Sequence, residues 1–226
     1  MTCEKLQGRT NTLSYLKYEL KTEDIYDQDK NKFTRYSMFN NSIQEPSILE
    51  PSILESSIVE HSNNQFNFFE CEGEYSKVIG ISLYNETYNE LESTLISIFK
   101  NRQHESSGGK FFLNKTLVVI ISDGVDYLDK SIKENFKTFK LFDSDIIKSN
   151  YTEEEKKNNN DITFFFQGEL GYNLKENSKE NTTSLNILKV VFGVKTENKK
   201  KLHSHMLLLM ICCRKIKPEY VIVSFN

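Results

Sequence analysis

Lys77-Val-Ile-Gly-Ile-Ser-Leu83 and Thr116-Leu-Val-Val-Ile-Ile121 decide how this chain folds. Both are short apolar runs without helical spacing, and this composition suits buried strands. Between them, Asn89 to Lys100 places Leu91, Leu95, Ile98 and Phe99 at spacings of three and four, which predicts a helix with one face on a core. Ser106-Ser-Gly-Gly109 then breaks the pattern.

Downstream, Tyr127 to Phe142 reads as another helix, and the charged, Asn-rich stretch from Lys148 to Asp161 as a surface loop or insertion. Ile162 to Gln167 and Leu185 to Val194 form a plausible strand pair, since aromatic and β-branched residues favour extended structure. Lys199 to Lys215 reads as a helix and Tyr220 to Val223 as a final buried strand. The alternation of strands and helices predicts a three-layer α/β domain with a mostly parallel sheet over residues 65–226.

Upstream, Met1 to about Asn64 is polar and irregular, with a near-repeat in Glu45-Pro-Ser-Ile-Leu, Glu50-Pro-Ser-Ile-Leu and Glu55-Ser-Ser-Ile-Val. Its prolines prevent a continuous helix or strand across the repeat. The segment predicts a disordered, low-complexity leader over residues 1–64, with order beginning near Phe66, because it carries too little apolar surface to offset its ordering entropy. A docking motif is the alternative reading.

The balance of 29 basic and 32 acidic residues leaves a net charge of −3, without the basic field that a nucleic-acid partner requires. Cys3, Cys71, Cys212 and Cys213 have neither CxxC spacing nor the regularity of a disulfide framework, and read as reduced thiols. No apolar stretch follows the charged start, so no secretory signal is read there. The longest apolar run, Met206 to Cys213, falls well short of the roughly 20 residues of a membrane helix.

In open parallel sheets, ligands bind at the carboxyl ends of the strands. Tyr84-Asn85-Glu86 follows the first strand and Ser122-Asp123-Gly124 ends the second. Carboxylates at two neighbouring strand ends can accept hydrogen bonds from a base or ribose, while Gly124 lets the backbone turn close to a ligand. The competing reading is that these residues only turn the chain and cap the next helix. Lys199-Lys200-Lys201 is either a solvated charge run or the source of a lysine that reaches a diphosphate. His203 and His205 lack Cys or carboxylate partners nearby in sequence, which argues against zinc and for a surface or helix-start role.

Three segments together carry a family resemblance. Ile81-Ser-Leu-Tyr-Asn-Glu-Thr87, followed by Leu91, Thr94, Leu95 and Lys100-Asn101, resembles the first strand and helix of fungal-type chitin synthases. Val118-Val-Ile-Ile-Ser-Asp-Gly124 is similar to that family's Val-Ser-Asp-Gly strand end. Phe192-Gly-Val-Lys-Thr-Glu-Asn-Lys-Lys-Lys-Leu-His-Ser-His205 resembles its Phe-Cys-Leu-Lys-Glu-Lys-Asn-x-Lys-Lys-Ile-Asn-Ser-His segment. The resemblance spans roughly Lys77 to Val223 and leaves the leader aside.

This resemblance implies a family-2 glycosyltransferase of the GT-A type, a hexosyltransferase that moves N-acetylglucosamine from UDP-N-acetylglucosamine to a growing β-1,4 chitin chain in cell-wall synthesis. It implies that Tyr84, Asn85 and Glu86 border the uridine, that Asp123 with Gly124 holds the uracil or ribose, and that Lys201 faces the diphosphate. It also implies a divalent metal, Mg or Mn, and a place on the cytoplasmic face of the plasma membrane.

The departures are specific. His203 stands where the family has Asn, and Met206 where it has Arg. Phe225 falls about where the metal-binding Asp is expected, and an aromatic ring cannot ligate such an ion. The family's Glu-Asp-Arg acid/base region, Gln-x-x-Arg-Trp acceptor motif and membrane helices have no counterpart in these residues, so no catalytic residue and no metal ligand is assigned. The resulting expectation is a fragment of the catalytic domain, incomplete at its C-terminus and inactive alone. The alternatives are a non-catalytic interaction protein that associates with a full-length synthase, and a different nucleotide-sugar transferase of the same superfamily.

Overall fold

The computed structural model describes residues 6–9, 13–19, 74–101, 115–158, 161–173 and 185–224. The Pro-Ser-Ile-Leu repeat and Phe225 lie outside the described residues. The two apolar runs become β3 (Lys77–Leu83) and β4 (Thr116–Ser122), paired in parallel with Leu83 opposite Ser122. Between them runs α1 (Tyr88–Asn101), which buries Leu91, Leu95, Ile98 and Phe99 as the spacing predicts.

The expected strand pair is present and longer than its apolar cores. β5 (Ile162–Asn173) and β6 (Leu185–Lys195) are antiparallel, β6 lies parallel to β4, and β7 (Tyr220–Ser224) lies parallel to β3. Two further strands, β1 (Leu6–Gly8) and β2 (Ser14–Glu19), pair antiparallel with β5. Successive antiparallel steps restore direction, so six strands of the seven-stranded sheet point one way and β5 alone opposes them.

β1 and β2 correct the expectation of a leader in which order begins near Phe66. They fill the edge of β5, satisfying backbone groups that an open strand would leave exposed. Leu6 and Tyr18 are buried, and the Tyr15 ring lies 6.4 and 6.1 Å from those of Phe164 and Phe166. The alternation in Ser14-Tyr-Leu-Lys-Tyr-Glu19 sends Tyr15 to one core and Tyr18 to the other.

Those two cores make the three layers. On one face, Ile79, Ile81, Val118, Ile120 and Phe192 meet α1 and α2 (Lys130–Thr138), with Phe136 edge-on to Phe192 at 4.8 Å. On the other, Val78, Leu117, Val119, Ile121 and Val191 meet Leu207, Leu208 and Ile216. These last residues belong to the helical stretch expected over Lys199 to Lys215, which consists of α5 (Lys200–Met206), a π-helical segment (Leu207–Cys213) and α6 (Arg214–Ile216). Gly80 is what lets this layer approach: a Cβ there would stand 2.0 Å from Leu208 Cδ2.

Three other expectations are corrected. α2 is shorter than Tyr127 to Phe142, because Asp129 caps its start and Lys140, at φ 56°, turns the chain away beyond its end. The charged stretch near Lys148 is helical: Ser144–Asn150 forms α3 and Glu153–Lys157 forms α4. Thr152 and Glu155 close a capping box at the start of α4, with acids in its first turn and lysines in its last, as the helix dipole favours. β7 is not buried; it pairs with β3 alone among the described residues, leaving Tyr220, Val221 and Ile222 exposed.

Lys17 fastens β2 to this helical side, donating to the Asn150 carbonyl at 2.6 Å and to Glu155 Oε1 at 2.5 Å. Burial works to raise the Glu155 carboxyl pKa, but hydrogen bonds from Lys17 and Thr152 outweigh it and hold the group below its ordinary 4.5. A folded-state value below the unfolded one gives stability that is present above pH 4.5 and is lost as pH falls through the folded value. A double-mutant cycle of Lys17→Met and Glu155→Gln, read by urea unfolding at pH 7, should give a coupling of about 0.5–1.5 kcal/mol. Repeated at progressively lower pH, the coupling should vanish once Glu155 is protonated.

Candidate functional site

Parallel pairing brings the ends of β3 and β4 side by side, and the Asp123 N–H extends the register by donating to the Leu83 carbonyl at 2.9 Å. Above these ends lies a cavity of about 330 Å³, lined by Ser82, Leu83, Tyr84, Asn85, Glu86, Asp123 and Lys201. Five of the six residues read from sequence as a nucleotide-sugar site therefore share one wall. The sixth, Gly124, is next to Asp123 at φ 99°, a conformation that disfavours any side chain. Lys201 arrives from a distant part of the chain because β6 lies beside β4 and runs on into α5.

Asp123 is only 3% exposed, and its carboxylate is already engaged. Oδ1 accepts the Lys199 backbone N–H at 3.0 Å and forms an ion pair with Lys195, whose side chain is 1% exposed. The Lys195 ammonium also donates to the Lys200 carbonyl at 3.3 Å. Burial pushes the Lys195 pKa below the usual lysine value, with Asp123 opposing the shift. Asp123 thus lines the cavity as half of a buried pair, with its Oδ1 already engaged.

Sequence reasoning missed Lys195. Its signal was available: alternation along β6 puts Lys195 on the same face as buried Val191, where a lysine needs an acid to be tolerated.

Glu86 Oε2 accepts the N–H of Tyr84 at 2.6 Å, holding the loop that leaves β3. Asn85 is exposed, as is Tyr84, whose ring stacks on that of Tyr127 at 5.8 Å. The Ser82 hydroxyl is buried with no hydrogen-bond partner among the described residues.

The lysine run separates into different tasks. Lys199 supplies its backbone N–H to Asp123 and its ammonium to Glu197 at 3.0 Å, Lys200 turns the chain at φ 69°, and Lys201 reaches the cavity. His203 departs from its expected surface role. Its Nε2 lies 2.6 Å from Asp161 Oδ2 and the ring is largely buried; the carboxylate comes from the residue just before β5. His205 is held below the usual histidine pKa by burial, with Lys201 adding to the shift.

Among the described residues, no three His, Cys, Asp or Glu side chains converge as a metal site. Of the two cavity carboxylates, one serves Lys195 and the other the Tyr84 backbone. These residues do not fit the divalent ion that the resemblance implies, and no step through a metal follows from them.

A family model for the chitin synthase-like glycosyltransferase domain matches residues 77–224, more than half of the 226-residue chain. The chain belongs to this family. All three resembling segments fall inside the matched region, as does every cavity residue, while β1 and β2 lie outside it. No helix among the described residues is long and apolar enough to cross a membrane.

The buried pair makes a sharp stability prediction for this glycosyltransferase domain. Lys195→Met strands the Asp123 carboxylate and should cost about 3–5 kcal/mol in urea unfolding at pH 7. Asp123→Asn should cost less, because the amide still accepts the Lys199 N–H and the Lys195 amine, already pushed towards neutrality, can lose its proton. The double variant should recover part of the Lys195→Met loss.

Proposed function

We propose that this chain binds UDP-N-acetylglucosamine as the donor-binding part of a chitin-forming glycosyltransferase. The observation that carries this reading is the convergence of two strand ends and one lysine on a single cavity, in a chain of the chitin synthase-like family. The cavity of about 330 Å³ is at the small end of ligand sites, suited to the nucleoside, with the diphosphate and sugar extending over the open rim. Asn85 and the Asp123 region offer hydrogen bonds to base and ribose, and Lys201 offers the cation that a diphosphate requires.

In the full reaction, N-acetylglucosamine passes to a growing β-1,4 chain. On this reading the cavity residues serve donor binding. Association with a full-length synthase at the cytoplasmic face of the plasma membrane is part of this reading.

Titration calorimetry with UDP, with and without Mg2+, tests this reading. Saturable binding is expected for UDP, and Lys201→Ala should weaken it by about 10- to 150-fold, the scale of one charge-assisted contact, while leaving uridine binding unchanged. Absence of any saturable UDP heat would sink it.

A second reading is a non-catalytic interaction protein, favoured by the exposed Tyr220, Val221 and Ile222 on β7. Co-purification with a full-length synthase that survives Asp123→Asn, from a chain without UDP affinity, would select it.

A further inference from the structure

Tyr84 and Tyr127 are 47% and 52% exposed, yet their rings stack at a centroid distance of 5.8 Å and an interplanar angle of 18°. Tyr84 lines the cavity. Tyr127 comes from the turn after Gly124, and its Cδ2 lies 3.1 Å from where a Gly124 Cβ would stand, so the ring rests on backbone adjoining Asp123. The next residue, Leu128, is buried and anchors that turn.

We propose that Tyr127 is the stacking platform for the ligand's nucleobase, and that the Tyr84 ring occupies this place until a ligand displaces it. The inference rests on the donor-binding reading above. Two rings sandwiching a third need about 7 Å between them, two contacts of ~3.5 Å each. At 5.8 Å the pair cannot admit a base between them, so one ring must yield. Tyr84 is the one placed to do so: it sits in the exposed stretch Tyr84-Asn85, held through its backbone N–H by Glu86, which leaves its ring to rotate. Tyr127 is backed by Gly124 and by buried Leu128, and it adjoins the cavity through Tyr84, the lining residue whose ring stacks on it. A base there has its ring on Tyr127 and its ribose directed towards Asp123, with Lys201 on the same cavity for the phosphates.

Stacking on an aromatic face is worth about 1–3 kcal/mol per base, whichever base is bound. Tyr127 therefore contributes affinity for the nucleoside and none for the phosphates. Calorimetry on the full chain with UDP, UMP and inorganic pyrophosphate separates these contributions. Tyr127→Ala and Tyr127→Leu should each weaken UDP and UMP by about 5- to 150-fold, while pyrophosphate binding and the urea midpoint stay close to wild type. Tyr127→Phe should bind within about twofold of wild type, since the face is retained. Tyr84→Ala should tighten UMP binding, because the ring that competes for the platform is gone. If wild type binds UDP and Tyr127→Ala binds equally well, or if Tyr84→Ala is the variant that loses UMP, the platform is misassigned and the donor-binding reading stands. If wild type shows no UDP saturation, both fall together.

Discussion

The pairing of Asp123 with Lys195 constrains the site more than any other contact. Each charge taken from water costs several kcal/mol, and the pair is tolerable only when the remaining polar atoms are also satisfied. Here the Lys199 N–H and the Lys200 carbonyl complete it, so the end of β4, the end of β6 and the turn into α5 are bound as one unit. Lys201 follows that turn directly. Its place at the cavity is thus a consequence of how the buried charges are accommodated.

This arrangement explains why the residues of the candidate site could be partly grouped from sequence. Strand ends can be located from apolar runs, and parallel pairing then puts Tyr84 to Glu86 beside Asp123 without further information. Lys195 was harder, because a lysine after an apolar strand is ordinarily read as the first exposed residue. Only the alternation of β6 shows that it must point inwards, and only the fold supplies Asp123 opposite. His203 and Asp161 make the same point, being remote in sequence and joined by the antiparallel pairing of β5 with β6.

The fold shows a similar division. β3, β4 and α1 declared themselves through local periodicity. β2 was obscured because its six residues pair with a strand far along the chain, and its composition resembles that of the polar segment around it. The apolar letters of β7 identify a strand but not its slot in the sheet, and a strand with one paired neighbour stays exposed whatever its composition. For α4, the capping box of Thr152 and Glu155 was a readable signal, outweighed by the general polarity of the stretch.

Three groups at the cavity already have internal partners: Glu86 holds the Tyr84 N–H, Asp123 holds Lys195, and the Tyr84 ring lies on Tyr127. Ligand binding at such a site exchanges contacts more than it adds them, and an exchanged hydrogen bond yields far less net free energy than its isolated strength. The three do not yield equally. Breaking the Asp123 pair would strand a buried charge, whereas rotating the exposed Tyr84 ring costs one stacking contact at the surface. The physical order of these costs makes the aromatic pair the most easily rearranged of the three contacts at the cavity and the ion pair the least.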